Sequence, residues 1–169
     1  NHLKNNNINT HHVINRVELE NRDKNMVEKL VTNILNELND DSNFVEFWYR
    51  SDWINLDFHR DLDEKLYKQN TKFKFPINAH VLYLNIGDNV FGPTCILSEK
   101  NGIQSKPING DFIVCPCLNG RLLRFDGTMM HFVVRPEPFA LLRFPIVWCL
   151  LSLSAPPTAL RFNSPDSTS

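Results

Sequence analysis

The chain lacks a long basic run, a long apolar segment and any pair of cysteines at zinc-binding spacing. Its formal net charge is −1 over 169 residues. This near-neutral balance disfavours a nucleic-acid surface or a basic membrane-binding helix as the main purpose of the protein. The longest apolar run lies near Ile146 to Leu153, far short of the roughly 20 residues that a membrane-spanning helix needs. The composition therefore predicts no membrane partner.

The four cysteines all lie in apolar stretches, at positions Cys95, Cys115, Cys117 and Cys149. Two of them form C-x-C rather than C-x-x-C, and no second pair completes a zinc site. We interpret all four as reduced and buried, which predicts a cytoplasmic or nuclear location. Because the sequence begins at Asn1 without a methionine, we also interpret it as a fragment, whose upstream targeting signals are not visible.

What is present is a chain with 42% hydrophobic residues, a composition typical of a globular domain. Residues 1–15 are rich in asparagine, and residues 155–169 contain Pro156-Pro157 and end in small polar residues. We predict a disordered tail over 1–15, a single domain over 16–154 and a flexible tail over 155–169. Within the domain, apolar residues recur every fourth position from Met26 to Leu38, which predicts a helix over residues 22–40.

From Phe44 onward the sequence changes to short apolar segments separated by glycine, proline and asparagine turns. Asn119-Gly120 is the strongest hairpin signal. The segments predict strands at about 44–49, 54–60, 79–85, 93–98, 111–115, 121–126, 130–135 and 140–151. A mainly β chain with one flanking helix and eight such strands predicts a double-stranded β-helix, that is, a jelly roll or cupin-like barrel.

The most informative motif is His59-Arg60-Asp61, read together with His131, which lies 72 residues later. Residues i and i+2 of a strand project from the same face, so the imidazole and the carboxylate would point the same way. With His131 they would form a two-histidine, one-carboxylate set, which suits non-haem Fe(II). The alternatives are a surface ion-pair cluster around Asp61 and a half-buried polar residue at position 131.

Several segments follow this motif in a recognisable order: His80–Asn85, Phe91–Leu97, Asn119–Gly127, His131 and Arg143–Trp148. The ordered set resembles the Fe(II)- and 2-oxoglutarate-dependent dioxygenase superfamily, and most of all its prolyl hydroxylase-like branch. The resemblance covers about Phe47 to Trp148. It implies hydroxylation of a C–H bond with release of succinate and carbon dioxide, with ascorbate as an auxiliary reductant.

The resemblance also assigns roles to individual residues. It implies that His59, Asp61 and His131 are the iron ligands. It implies that Arg143 binds the far carboxylate of 2-oxoglutarate, since a planar guanidinium grips a carboxylate with two hydrogen bonds. Tyr83 is implied as a second contact to that carboxylate and Thr94 as a third. Arg135 is the rival to Arg143, because it has the same strand parity as His131.

Other classes of function stay open at this point. A non-catalytic interaction module with the same fold is one, although all the ligand and anchor positions are filled. A cupin-like metalloprotein with another metal is a second, although the chain has no H-x-H motif. The resemblance favours a protein side chain over a small molecule as the substrate, and the net charge disfavours nucleic acid. The sequence makes no prediction of the oligomeric state.

Overall fold

The computed structural model describes residues 12–50, 56–86, 92–98, 111–134 and 146–153. In chain order the elements are β1 His12–Asn15, α1 Arg16–Leu19, α2 Met26–Glu37, β2 Phe44–Arg50, β3 Leu56–His59, α3 Glu64–Asn70, β4 Asn78–Asn85, β5 Thr94–Leu97, β6 Phe112–Cys115, β7 Leu122–Asp126, β8 His131–Val133 and β9 Ile146–Leu153. The protein is mainly β with few helices, as predicted, and each of the eight predicted strands overlaps an observed one.

The strands form two antiparallel sheets. The larger sheet has the order β1-β2-β9-β4-β7 and the smaller has the order β3-β8-β5-β6. Among the described strands, none of one sheet pairs with a strand of the other, so the ladders do not close into a barrel. The chain passes repeatedly from sheet to sheet, which places residues distant in sequence on neighbouring strands.

The two sheets pack face to face through side chains that alternate along the strands. One buried cluster joins Trp48, Ala79, Phe125 and Leu151 of the five-stranded sheet to Ile96 of the four-stranded sheet. Because successive strand residues point to opposite faces, His80 projects from the other face of the larger sheet than Ala79 does. The interior between the sheets is therefore set by every second residue.

The outer face of the five-stranded sheet is covered by α2. Val31 and Leu35 of this helix are buried against Ile14 of β1 and Val45 of β2. Burying a valine or leucine side chain contributes about 1.5–3 kcal/mol relative to exposure. The buried face of α2 therefore contains Val31 and Leu35. Met26, which begins the apolar repeat in the sequence, is 85% exposed.

Helix α2 is shorter than the predicted 22–40 because its ends are set by local hydrogen bonds. Asn25 caps the first turn: its side chain accepts a hydrogen bond from the Glu28 amide, and the Glu28 carboxylate accepts one from the Asn25 amide. Such a capping box satisfies two amides that lack partners in the helix. At the other end Asn39 has a left-handed backbone, with φ of 50°, which stops the helix just after Leu38.

Strand β1 corrects the predicted tail boundary at residue 15. His12–Asn15 pairs in antiparallel register with Phe44–Phe47 of β2, and Ile14 is 5% exposed. The short apolar pair Val13-Ile14 is enough to place a strand on the sheet edge, and the surrounding asparagines concealed it. Residues 1–11, and the predicted flexible tail 155–169, lie outside the described residues.

The Asn119-Gly120 pair forms a turn but not the predicted hairpin. Gly120 has φ of +75°, a backbone conformation that glycine adopts at little cost. The strands on either side, β6 and β7, belong to different sheets. The turn therefore carries the chain from one sheet to the other, and the Gly120 amide donates a hydrogen bond to the Tyr83 carbonyl at 2.7 Å.

Three cysteines fall in the described part of the chain. Cys95 and Cys117 are buried, Cys115 is partly exposed, and all three are free thiols. Burial raises the pKa of the Cys95 thiol, which keeps it protonated and unreactive at neutral pH. Of the helices in the described ranges, none combines the length and the apolar character needed to cross a membrane.

Candidate metal centre

The two histidines of the predicted metal site lie side by side on paired strands. His59 ends β3 and His131 begins β8, and the two residues are register partners in the four-stranded sheet. Their ring centroids are 4.3 Å apart. The antiparallel pairing of β3 with β8 thus brings together two residues that the sequence separates by 72 positions.

Asp61 reaches the histidines from just beyond the end of β3. The strand prediction placed Asp61 on β3 itself, whereas the strand ends at His59 and Asp61 lies in the segment leading to α3. The three side chains nevertheless converge: one ligand atom from each lies within 4.8 Å of the others, so the group could hold a metal ion. The structure thus brings the three predicted ligands together.

Asp61 uses one carboxylate oxygen toward each histidine. Its Oδ1 lies 3.9 Å from Nε2 of His59 and its Oδ2 lies 3.6 Å from Nε2 of His131. Bonds from a divalent metal to nitrogen or oxygen are about 2.1 Å long, so one ion can bridge atoms up to about 4.2 Å apart. Both histidine–aspartate pairs fall inside that limit.

The backbone orients both imidazoles in the same way. Nδ1 of His59 lies 2.6 Å from the carbonyl oxygen of Asp57, and Nδ1 of His131 lies 3.3 Å from that of Met129. A carbonyl only accepts, so in the neutral ring each Nδ1 carries the hydrogen and Nε2 keeps its lone pair. Both lone pairs then face Asp61, which is the tautomer that metal-binding histidines use.

Burial favours the neutral form of His131. Its side chain is 9% exposed, against 35% for His59 and 18% for Asp61. The pKa of His131 is lowered from its ordinary value, chiefly by burial and further by His59, while the Asp61 charge acts in the opposite direction. A neutral imidazole can bind a metal without first releasing a proton.

The Met129 carbonyl that orients His131 belongs to a tight turn between β7 and β8. The Met129 amide donates to the Asp126 carbonyl at 2.9 Å, and the Thr128 amide donates to the Asp126 carboxylate at 2.9 Å. Gly127 packs so closely on the backbone of Pro76 that a Cβ there would collide with the Pro76 carbonyl oxygen. This support for His131 was not predicted from the sequence, although Asp126-Gly127-Thr128 is a recognisable turn signal.

The predicted co-substrate residues Tyr83 and Thr94 lie in the interior between the sheets. The Tyr83 Oη and Thr94 Oγ1 atoms are 2.6 Å apart, and the residues are 1% and 2% exposed. Tyr83 comes from β4 of the larger sheet and Thr94 from β5 of the smaller, so this hydrogen bond spans the interior. Thr94 pairs with Val133, two residues beyond His131 on β8, and therefore shares the face of the sheet that carries His131.

The two arginines proposed as the anchor of 2-oxoglutarate, Arg143 and Arg135, both lie outside the described residues. The structure therefore brings together the three residues predicted as metal ligands, and separately the Tyr83–Thr94 pair. No family model, curated protein or solved structure matches the chain in the comparisons with known proteins.

Proposed function

We propose that the protein is an Fe(II)- and 2-oxoglutarate-dependent dioxygenase that hydroxylates an organic substrate. The observation that carries this proposal is the convergence of His59, Asp61 and His131, with both imidazole Nε2 atoms directed at one carboxylate. Two histidines and a carboxylate on one side of a metal are typical of non-haem Fe(II) oxygenases.

The residues fit the metal in chemistry as well as position. Two neutral nitrogens and one carboxylate leave coordination positions for a chelating co-substrate and dioxygen. When bound, Fe(II) and 2-oxoglutarate would supply the oxidative decarboxylation that yields succinate and carbon dioxide and hydroxylates a C–H bond. The protein itself would hold the three ligand side chains in position and would keep bulk water out of the interior beside them.

The topology supports a double-stranded β-helix as the finer description of the fold. Leaving aside β1, one sheet has the order β2-β9-β4-β7 and the other has the order β3-β8-β5-β6. In both sheets the strand nearest the C-terminus is inserted between two early strands, an arrangement typical of a jelly roll. A jelly-roll interior would also place the metal ligands on strands at one end of the sandwich.

The Tyr83–Thr94 pair is an argument for a co-substrate binding site in the interior between the sheets. Its two hydroxyls are the polar groups of a largely apolar interior, on the face of β5 that looks toward His131. Polar groups placed singly in an apolar cavity are typical of sites that orient a small ligand. By the resemblance, Arg143 would supply the positive charge that such a dicarboxylate needs.

The decisive test is anaerobic titration of the protein with Fe(II) and 2-oxoglutarate. We expect a weak visible charge-transfer band, followed on admission of oxygen by succinate production. Given the resemblance to prolyl hydroxylases, we would test proline-containing peptides first as substrates. If metal binds but neither the band nor succinate appears, a cupin-like metalloprotein replaces the proposal; if no metal binds, a non-catalytic interaction module does.

A second test separates the two candidate anchors of 2-oxoglutarate. Arg143→Ala should raise the apparent constant for 2-oxoglutarate by roughly thirtyfold to several-thousandfold, since losing a buried charged partner costs about 2–5 kcal/mol. Arg143→Lys should raise it less, because lysine keeps the charge but loses the two-pronged geometry. Arg135→Ala is the matched control and should leave it nearly unchanged; the reverse ranking would make Arg135 the anchor.

A further inference from the structure

Three aromatic rings stack on one another at α3 and in the segment that follows it. Tyr67 stacks on Phe73 with 4.8 Å between ring centroids and 30° between ring planes, and Phe73 lies nearly parallel to Phe75, at 6.0 Å and 4°. We call these three residues the aromatic column. Tyr67 and Phe73 are 40% and 41% exposed, so the column faces solvent instead of the core.

One end of the aromatic column lies against Arg60, a sequence neighbour of two of the predicted metal ligands. The Arg60 guanidinium lies over the Phe75 ring, 5.9 Å from its centroid. Arg60 sits between His59 and Asp61 in the sequence. At the other end, Tyr67 presents a half-open ring on the surface of α3.

The segment that carries the aromatic column is also strongly basic. Residues 65–75 contain no acidic residue and four lysines: Lys65, Lys68, Lys72 and Lys74. Every residue from Tyr67 to Phe73 is exposed. Of the acids just before it, Asp63 uses its carboxylate to cap α3, accepting the Leu66 amide at 2.9 Å. Because the net charge of −1 is a sum over the whole chain, it does not reveal this basic segment.

Aromatic rings and lysines can bind different parts of one nucleic-acid strand. Bases stack on aromatic side chains regardless of sequence, and lysines neutralise phosphates. An acidic peptide would match the lysines alone, whereas a nucleic-acid strand also offers a flat base to the outer face of Tyr67, the exposed end ring of the column. We propose that the aromatic column, together with Lys68, Lys72 and Lys74, forms a binding surface for single-stranded nucleic acid.

The test is fluorescence anisotropy of the full chain with labelled 15-mers of oligothymidine and oligouridine, in EDTA. With metal removed, the result does not depend on the proposed oxygenase activity. We expect both single strands to bind at least tenfold more tightly than a duplex of equal length or a polyglutamate peptide. The comparison of the two 15-mers shows whether DNA or RNA is preferred. The logarithm of affinity should fall with the logarithm of salt with a slope of roughly −1.4 to −2.8, for two to four phosphate contacts.

Three variants probe the surface directly. Tyr67→Leu and Phe73→Leu keep an apolar side chain but lose the ring, and each should weaken binding roughly five- to 150-fold. Lys72→Glu, at an exposed position, should weaken binding and flatten the salt dependence without affecting the core. Lys29→Glu is the matched control: it makes the same charge change on the exposed side of α2 and should change affinity by less than twofold.

Each result decides the proposal. Tight binding of single strands that is lost in the leucine and Lys72→Glu variants, but kept in Lys29→Glu, supports it. Failure of the wild-type chain to bind single strands, equal affinity for duplex, or unchanged binding in both leucine variants overturns it. Tighter binding of polyglutamate than of oligonucleotide also overturns it, and would indicate an acidic protein partner.

Discussion

Asp61→Asn should abolish most of the stabilisation that a divalent metal gives to the protein. Asp61 faces both histidines, at 3.9 and 3.6 Å, and it supplies the negative charge of the ligand group. An amide keeps the shape of the side chain but removes that charge. Losing a charged partner from a partly buried pair costs about 2–5 kcal/mol, which corresponds to roughly a thirtyfold or greater loss of metal affinity.

The size of the effect on melting temperature follows from mass action. A metal present at about 100 times its dissociation constant stabilises the wild-type fold by about 2.7 kcal/mol. For a domain of this size that raises the melting temperature by about 5–11 °C. A thirtyfold weaker site retains about 0.9 kcal/mol at the same metal concentration, or about 2–4 °C. The variant should therefore lose about two thirds or more of the shift.

The assay is thermal unfolding with and without Co(II) or Mn(II), under nitrogen, since these ions report binding without turnover. Asp57→Asn is the matched control, because the same change is made at an exposed position of β3, two residues before His59. In EDTA, Asp61→Asn should melt close to the wild-type chain, as Asp61 is not a core residue. If Asp61→Asn keeps the full metal shift, or Asp57→Asn loses as much of it, Asp61 is not a ligand.

Three further substitutions test the surroundings of the site and the fold. Gly127→Ala should weaken Co(II) binding in isothermal titration, because its Cβ would push against the Pro76 carbonyl and displace the turn that orients His131; unchanged affinity would contradict that role. Tyr83→Phe should lower the free energy of unfolding by about 1–3 kcal/mol in urea titrations, since the buried threonine hydroxyl on β5 loses its partner. The pKa of Glu28 is lowered mainly by hydrogen bonds from Arg22, so its ionised form stabilises the fold above the unfolded-state pKa of about 4.3, and this contribution is lost as pH falls below that value. Glu28→Gln should accordingly be less stable than wild type near pH 6, and the difference should shrink as pH falls through the lowered folded-state pKa, as judged by urea midpoints.

The candidate metal ligands could be proposed from the sequence because their chemistry depends on residue type. Imidazoles at positions 59 and 131 and a carboxylate at position 61 have few common uses together, and the structure brings them together. The strands could be located for a similar reason, since period-two apolar segments and turn residues are local signals. The carbonyl of Met129 could not be found in this way, because every residue has a carbonyl and only the fold decides where it points.

Which strands pair with one another could not be predicted from the sequence. Asn119-Gly120 has the local chemistry of a hairpin turn, and it does form a turn with a left-handed glycine. Which strands pair across the turn depends on contacts far away in the chain, and here β6 and β7 separate into different sheets. Net charge has a related limit: a sum over 169 residues carries no information about how lysines such as Lys68, Lys72 and Lys74 are distributed.

The insertion of late strands between early ones has a consequence for how the chain folds. β9 pairs with β2 on one side and β4 on the other, and β8 pairs with both β3 and β5. During synthesis β2 and β3 must therefore wait for these partners, which lie more than 70 residues away, with the ladder groups on that side exposed, which slows folding and invites aggregation. His59 and Asp61 would emerge long before His131 does. A nascent chain that has reached only β7 has two of the three ligands and cannot yet assemble the metal centre.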